Sequence, residues 1–197
     1  IDISDRDHFK VFKDGDDRMF IGKPVRSQLI DGWTFAASRP VLSDGRFGGV
    51  LSLVISSDYM ASRLAALRLS DDDIVALMHA DGAVLARSQD NPAAMGKSVP
   101  ADRPFLVDPG LPKGLFKVRG LLDEKPRTYG WQRLPDAGLV VAIGLADSSV
   151  TIQALATSRM KLPMLPSTVA AHSTAKTGMA SGAKLPDAVV VSGLVGR

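Results

Sequence analysis

The sequence predicts an α+β fold of two lobes, each with a central antiparallel sheet flanked by helices. Short runs rich in Val, Ile, Phe and Trp alternate with turn residues along the chain, which is typical of antiparallel strands. The last strand of the second half and its exit, GLVVAIGLADSS, also repeat the pattern of GVLSLVISSDYM in the first half. An internal duplication of one small sheet lobe explains this repetition.

The first lobe is predicted to contain a three-stranded meander. Its strands are expected at residues 20–29, 33–41 and 47–55. Asp31-Gly32 and Asp44-Gly45 separate them, and such two-residue turns make neighbouring strands antiparallel.

A helix is predicted to follow the meander and to connect the lobes. Ser56 or Ser57 provides a suitable N-cap for the segment DYMASRLAALRL. Met60, Leu64 and Leu67 recur in that segment at helical spacing.

The second lobe is predicted to begin with a hairpin across Ala80-Asp81-Gly82 and to end with three more strands. Its five strands are expected at residues 74–79, 83–87, 115–121, 127–134 and 139–145. The intervening residues 91–105 are interrupted by prolines and can hold only short helices.

These elements divide the chain into five segments. They are the end of the first lobe (1–62), a connecting helix and linker (63–72), the second lobe (73–149), an exit helix (150–158) and a disordered tail (159–197). Disorder is expected in the tail because it has no aromatic residue and too little bulky apolar surface to offset its ordering entropy.

Composition and charge exclude several kinds of protein. With 197 residues, 45% of them hydrophobic, the chain can bury a substantial core. The net charge of +3 is uneven, since residues 150–197 carry +4 and the first 149 carry −1, so it gives no indication of nucleic-acid binding. The lack of Cys excludes disulfides and thiolate metal sites. No apolar stretch approaches the roughly 18 residues that a membrane span needs.

The motif DRDHF at residues 5–9, followed by FIGKPVRS and the meander, resembles the membrane-distal lobe of double Cache sensors. These are extracytoplasmic domains of bacterial transmembrane receptors with two stacked PAS-like lobes. The resemblance implies that the first lobe is incomplete here, because a helix and one or two strands are expected upstream. It also implies a ligand-sensing function, with a small molecule bound in the distal lobe.

The resemblance has further implications for the whole receptor. Its output domain would be a diguanylate cyclase, a histidine kinase or a chemotaxis receptor domain. The receptor would be a homodimer, attached to the inner membrane through segments not present here, with this portion in the periplasm. Nucleic acid is not an expected partner.

In a PAS-like lobe, the stretch before the meander lines the ligand cavity. The resemblance therefore implies that Arg6, His8 and Phe9 face a ligand. The planar guanidinium of Arg6 suits a carboxylate or phosphate, because it donates two parallel hydrogen bonds. Alternatively, Arg6 pairs with Asp2 or Asp5 on the surface, where such a pair contributes little.

Five further ligand-binding candidates lie on the predicted strands. They are Phe20, Arg26, Trp33, Phe35 and Arg39. Strand alternation places Trp33, Phe35 and Ala37 on one face and Thr34, Ala36 and Ser38 on the other, so only one set can line the cavity. Core packing is an alternative for the two aromatic residues, and a solvent-facing position is an alternative for the two arginines.

One departure from the family concerns the ligand class. Members that sense amino acids place an Asp late in the last strand of the distal lobe, where it neutralises the ammonium group of the ligand. Val54 occupies that position here, and Asp58 comes later, where helix capping is expected. An anion such as a small carboxylate is therefore favoured over an amino acid.

Enzyme and cofactor chemistry find little support. The segment NPAAMGKS ends like a P-loop, but Asn91 stands where the first glycine is required. Asp71-Asp72-Asp73 lacks the spaced oxygen ligands of a calcium loop. No serine lies in a nucleophile elbow. We therefore expect no catalytic residue, no metal and no cofactor.

Two other functions stay open on the sequence. The lobes can act as a ligand-free dimerisation or protein-interaction module, which would be favoured if aromatic side chains fill the cavity. An intracellular PAS domain with flavin or haem fits worse, because there is no Cys for a flavin adduct and no His clearly placed for haem ligation.

Overall fold

The structure, a computed structural model, describes residues 7–12, 17–27, 30–146 and 189–195. In the first lobe the elements are α1 (Asp7–Lys10), β1 (Phe20–Ile21), β2 (Val25–Arg26), β3 (Trp33–Ser43), β4 (Arg46–Ser56) and β10 (Val189–Val195). Helix α2 (Ser57–Ala65) leads to the second lobe. There the elements are β5 (Ile74–His79), β6 (Val84–Arg87), α3 (Asn91–Ala94), α4 (Pro104–Val107), β7 (Lys113–Arg119), β8 (Pro126–Leu134), a 3-10 turn (Pro135–Ala137) and β9 (Leu139–Ala146).

Two antiparallel sheets result, one in each lobe. In the first, β1 and β2 both pair with β3, which pairs with β4, and β10 pairs with the other edge of β4. The second sheet has the order β6-β5-β9-β8-β7. The predicted α+β fold with two sheet lobes is confirmed.

The β3–β4 hairpin forms because its turn residues accept left-handed backbone angles. Asp44 and Gly45 have φ values of 51° and 75°, as a two-residue type I′ turn requires. The register then shifts between Val41 and Leu42, which pair with Gly49 and Phe47 and leave Gly48 as an extra residue. This bulge turns Phe47 to the face that carries Val50.

The predicted strand over residues 20–29 is interrupted in the structure. Gly22 to Pro24 separate β1 from β2, and Pro24 has no N–H to donate to a sheet ladder. The predicted two-residue turn at Asp31-Gly32 is part of a longer loop, in which the Ser27 N–H donates to the Gly32 carbonyl at 3.0 Å.

The C-terminal segment also differs from the disorder expected there. Residues Val189–Val195 form β10, with Val189 opposite Ile55 and Val195 opposite Gly49. The physical reason is that β-branched residues suit a strand and that β4 offers an open edge. The predicted exit helix (150–158) and the rest of the predicted tail lie outside the described residues.

Helix α2 links the lobes by packing between them. Ser56 is its N-cap, and its Oγ accepts from the Tyr59 N–H at 3.3 Å. Ala61 and Leu64 of α2 are buried in a hydrophobic cluster with residues of both sheets. That cluster is Ile21, Phe35, Ala61, Leu64, Val75, Leu77, Leu85, Ala86 and Leu139. None of the described helices is long and apolar enough to cross a membrane.

A buried carboxylate fixes the two ends of the second lobe to each other. Asp73, which is fully buried, accepts from the Ser70 N–H at 2.8 Å before β5 and from the Ala146 N–H at 3.1 Å at the end of β9. The start and the exit of the lobe are therefore held together.

Candidate functional site

One face of the first sheet carries two buried serines among apolar side chains. Paired residues of antiparallel strands share a face, so Phe20, Ser38 and Ser52 lie together. Ser38 and Ser52 are 1% and 3% exposed, and their hydroxyl oxygens are 2.8 Å apart. We call this side of the sheet, with Phe20, Ser38 and Ser52, the α1 face.

Aromatic side chains of α1 and the residues after it cover this face. The ring of Phe9 packs edge-on against Phe47, with centroids 5.3 Å apart. Phe12, which is fully buried, packs edge-on against Phe20 at 6.4 Å. A polar floor beneath an aromatic cover is suited to enclosing a small molecule with both polar and apolar parts.

Two of the predicted ligand-binding residues lie at the α1 face. They are Phe9 and Phe20, and both are half-buried. His8 lies in α1, but its side chain is outside the described part of the structure, as is all of Arg6. Ligand contact by these four residues stays a prediction.

The other four predicted residues lie on the opposite face. Phe35 is 2% exposed and packs in the core between the lobes, as the alternative of core packing describes, and ligand contact by Phe35 stays a prediction. Trp33 packs towards the second lobe, and Arg26 is exposed with its guanidinium 5.9 Å from the Trp33 ring centroid. Arg39 is exposed.

Helix α3 and the residues after it contact the first lobe directly. A Cβ atom added at Gly96 would lie 3.0 Å from Cη2 of Trp33, so the indole lies against the backbone there. The Asn91 side chain donates to Asp58 of α2 at 2.8 Å and accepts from the Arg87 N–H at 2.8 Å. Residues 91–96 therefore touch both the first lobe and the second sheet.

A second contact between the lobes is ionic. Lys23 of the first lobe pairs with Asp81 of the second, and Asp81 also bonds to His79 and to the Ala83 N–H. Partial burial acts to raise the pKa of Asp81, but these bonds outweigh it and lower the pKa to about 2. Beside this pair is an open cleft of about 450 Å³, lined by Asp7, Lys10, Val11, Phe20, Lys23 and His79.

The second lobe encloses a smaller cavity of about 70 Å³. It lies between the second sheet and the segment that carries α3 and α4. Its lining is mostly apolar, with four polar exceptions: Arg87, Arg103, Arg119 and Tyr129. We call it the second-lobe cavity. Sequence reasoning missed it because these residues come from separate elements.

A buried ion pair lies at one end of the second sheet. Arg127 is 1% exposed, donates from Nη1 to Oδ1 of Asp123 at 2.8 Å, and donates from Nε to the Asp72 carbonyl at 2.8 Å. The hydrogen bond from Arg127 holds the pKa of Asp123 at about 2. Gly120 is required next to this pair, because a Cβ there would collide with both side chains.

Comparisons with solved structures identify the fold. The extracellular domain of rpHK1S-Z16, a protein assigned as a histidine kinase, matches with a TM-score of 0.63 and 25% identity, over 76% of this chain and 62% of that one. The ligand-binding domain of the Pseudomonas fluorescens chemoreceptor CtaA, solved with L-serine, matches with a TM-score of 0.56 and 19% identity, over 75% of this chain and 63% of that one. The PctB ligand-binding domain of Pseudomonas aeruginosa PAO1, solved with L-Arg, gives a TM-score of 0.57 and 15% identity, over 75% and 62%.

The chain has the fold of receptor sensor domains. This confirms the resemblance to Cache-type sensors on which the sequence interpretation depends. The matched structures are sensor domains and not catalytic domains. The chain spans about 60% of the length of the solved structures that it matches. No protein-family model and no curated protein matches the sequence.

Proposed function

We propose that this chain is the ligand-sensing portion of a bacterial transmembrane signalling protein. The observation that carries the proposal is the two-lobed fold shared with extracellular and ligand-binding domains of histidine kinases and chemoreceptors. The ligand is a small molecule held in the first lobe, between the α1 face and α1. A periplasmic location follows from the same likeness.

The proposed ligand is a small anion. Arg6 directly precedes α1 in the sequence, and a guanidinium suits a carboxylate because it donates two parallel hydrogen bonds. Val54 lies on the face that carries Ser38 and Ser52, and it offers no charge for the ammonium group of an amino acid. The matched chemoreceptor structures contain L-serine and L-Arg, so ligand class is the point at which this chain is proposed to differ.

Signal transmission is proposed to pass through the contacts between the lobes. A ligand on the α1 face would shift β3 and β4, and β4 continues directly into α2. Asp58 of α2 bonds to Asn91, and Trp33 of β3 packs on Gly96. A shift in the first lobe would therefore move residues 91–96 and bias the second lobe between two arrangements.

The rest of the receptor is proposed from the same likeness. A membrane-spanning segment and an output domain, of the histidine kinase, diguanylate cyclase or chemoreceptor kind, would lie elsewhere in the protein. The receptor would act as a homodimer, with motion near the end of β9 passed on to the output domain.

The proposal is tested by thermal unfolding of the chain in the presence of small carboxylates, phosphates, amines and amino acids. A ligand that binds only the folded state must raise the unfolding temperature. We expect at least one carboxylate to do so in the parent protein and to lose its effect in Arg6→Ala. Arg46→Ala is the matched control, because Arg46 is an exposed arginine of the same lobe that is not among the predicted ligand-binding residues.

A shift that is the same in Arg6→Ala and in the parent would contradict the first-lobe site. If no compound raises the unfolding temperature and sedimentation shows dimers that form with rising concentration, the alternative holds. That alternative is a ligand-free dimerisation or protein-interaction module.

A further inference from the structure

The second-lobe cavity has a flat aromatic floor of Tyr129 and Phe116, for which Gly144 leaves room. Tyr129 lies opposite Gly144 in the sheet, and a Cβ at Gly144 would collide with the tyrosine ring. Tyr129 also stacks on Phe116, with centroids 5.3 Å apart and planes 10° apart. Trp131 lies in the same way over Gly114, where it packs on Phe105 outside the cavity lining. Rings that lie flat on the sheet leave space between the floor and the segment above it.

The segment above the floor supplies the rest of the apolar wall. Ala94 of α3 and Phe105 of α4 both line the cavity and are 1% exposed. Val99 and Pro100 lie between them in the chain and also line it. A volume of about 70 Å³ holds a small organic molecule, since about 10–15 Å³ suffices for one water.

The polar groups of this cavity are all hydrogen-bond donors with positive or neutral charge. Three arginines line it, and no carboxylate is among the lining residues. Burial raises the pKa of Tyr129, which keeps its phenol neutral and able to donate. A mostly apolar cavity whose lining includes one buried and two more exposed arginines, and no carboxylate, favours an anionic ligand.

Two of these arginines are partly sequestered and retain donors. Arg87 is 6% exposed, and its side chain donates from Nη1 to the Gln89 carbonyl and to Asp90. The Arg103 side chain is 13% exposed and bonds from Nη1 to Asp102 at 2.8 Å, while its guanidinium lies 5.7 Å from the Phe116 ring centroid. Arg119 is exposed, and its Nη1 donates to the Glu124 carbonyl at 3.0 Å. A guanidinium has five N–H donors, so each arginine can still bind an anion.

We propose that the second-lobe cavity is a separate binding site for a small monocarboxylate with a short apolar chain. The apolar chain packs against Phe105 and Phe116, and the carboxylate accepts hydrogen bonds from Arg87 and Arg103. This site lies on the face of the second sheet that points away from the core between the lobes. It is distinct from the proposed first-lobe site.

The second-lobe site also has a route to the first lobe. The Asn91 side chain accepts from the Arg87 N–H and donates to Asp58, so the strand that carries Arg87 is connected to α2. A carboxylate bound at Arg87 would therefore stabilise residues 91–96 against the first lobe. The two sites would be coupled through this segment.

Isothermal titration calorimetry of the chain with sodium propionate tests the proposal. We expect saturable binding of propionate and at least tenfold weaker binding of propionamide, which has the same size and no charge. Arg103→Gln is expected to weaken propionate binding about tenfold or more, because it removes a charge-assisted hydrogen bond. Lys117→Gln is the matched control, since Lys117 is exposed on β7 and outside the cavity lining.

A second variant fills the cavity without changing its charge. Ala76 lines the cavity on β5, and Ala76→Val places two methyl groups in the space with a residue that suits a strand. We expect this variant to fold and to lose propionate binding. The proposal is overturned if propionate does not bind saturably, if propionamide binds equally well, or if Arg103→Gln and Ala76→Val both bind propionate as the parent does. If Arg6→Ala weakens propionate binding while Arg103→Gln and Ala76→Val do not, propionate binds in the first lobe instead.

Discussion

At the residue scale, the ion pair of Asp123 and Arg127 holds the loop between β7 and β8 against the sheet. Arg127 is buried, and its guanidinium bonds to Asp123 and to the carbonyl of Asp72 before β5. The pair is local in sequence, but its burial depends on Gly120 leaving space for it. The sequence contains no pattern that distinguishes this pair from a surface ion pair.

The pair predicts a specific pH dependence of stability. The pKa of Asp123 is about 2 in the folded protein, below its ordinary value of 3.8. A carboxyl group with a lowered pKa stabilises the fold above its ordinary pKa, and this contribution is lost as the pH falls from about 4 through 2. We expect Asp123→Asn to lower the free energy of unfolding by about 2 kcal/mol at pH 7 and by clearly less near pH 2.

Urea unfolding of the parent and the Asp123→Asn variant across this pH range measures the difference. Asp136→Asn, at an exposed acidic residue of the same lobe, is the control and is expected to change little. A difference between parent and Asp123→Asn that stays constant from pH 7 to pH 2 would mean that the pair does not titrate as described.

At the element scale, part of the fold follows from local sequence and part does not. The β3–β4 hairpin was predictable because Asp44-Gly45 accepts the backbone angles that the turn requires. The break after β1 was missed, although Gly22 and Pro24 are the residues that mark it. The orientation of β3 was not predictable, because both of its faces are buried in part and alternation alone does not say which partner each face meets.

The site was partly predictable for the same reason. Phe9 and Phe20 belong to the motifs DRDHF and FIGKPVRS, and the structure places both at the α1 face. The second-lobe cavity instead combines side chains from five strands and from the segment between β6 and β7. One signal for it was available. Gly144 lies inside a predicted strand and Gly114 directly precedes another. A glycine in a strand often marks the close approach of another group.

A substitution at Gly144 tests whether the Tyr129 ring lies over this residue. Gly144→Ala places a methyl group where the Tyr129 ring lies, so the ring must leave its stacked position on Phe116. We expect a loss of roughly 1–3 kcal/mol in the free energy of unfolding. Gly130→Ala is the control, because its Cβ would lie 3.4 Å from Leu115, an ordinary packing distance, and it should cost less than half as much. Equal costs for the two variants would show that Tyr129 does not lie over Gly144.

At the scale of the whole molecule, the two lobes share one core. Ile21 and Phe35 of the first sheet pack with α2 and with Val75 and Leu77 of the second sheet. Asp58–Asn91 and Lys23–Asp81 add polar contacts between the lobes. Removing one lobe would expose this shared apolar surface, so the lobes are expected to unfold together.

The two tryptophans allow this to be measured, since Trp33 lies in the first lobe and Trp131 in the second. Trp131→Phe leaves a fluorescence probe only in the first lobe, and Trp33→Phe leaves one only in the second. In each variant, we expect the remaining tryptophan and far-ultraviolet circular dichroism to report the same urea midpoint. Separate midpoints for fluorescence and circular dichroism within one variant would show that the lobes unfold independently.

Hydrogen exchange of the chain with and without saturating small anions shows whether ligand binding in one lobe changes the other lobe. We expect at least one carboxylate to slow amide exchange in β3 and β4 and also to change exchange in residues 91–96, because Trp33, Asp58 and Asn91 connect these segments. If no anion alters exchange in either lobe, or if every change stays within the lobe that binds, the molecule does not work as a sensor of this kind.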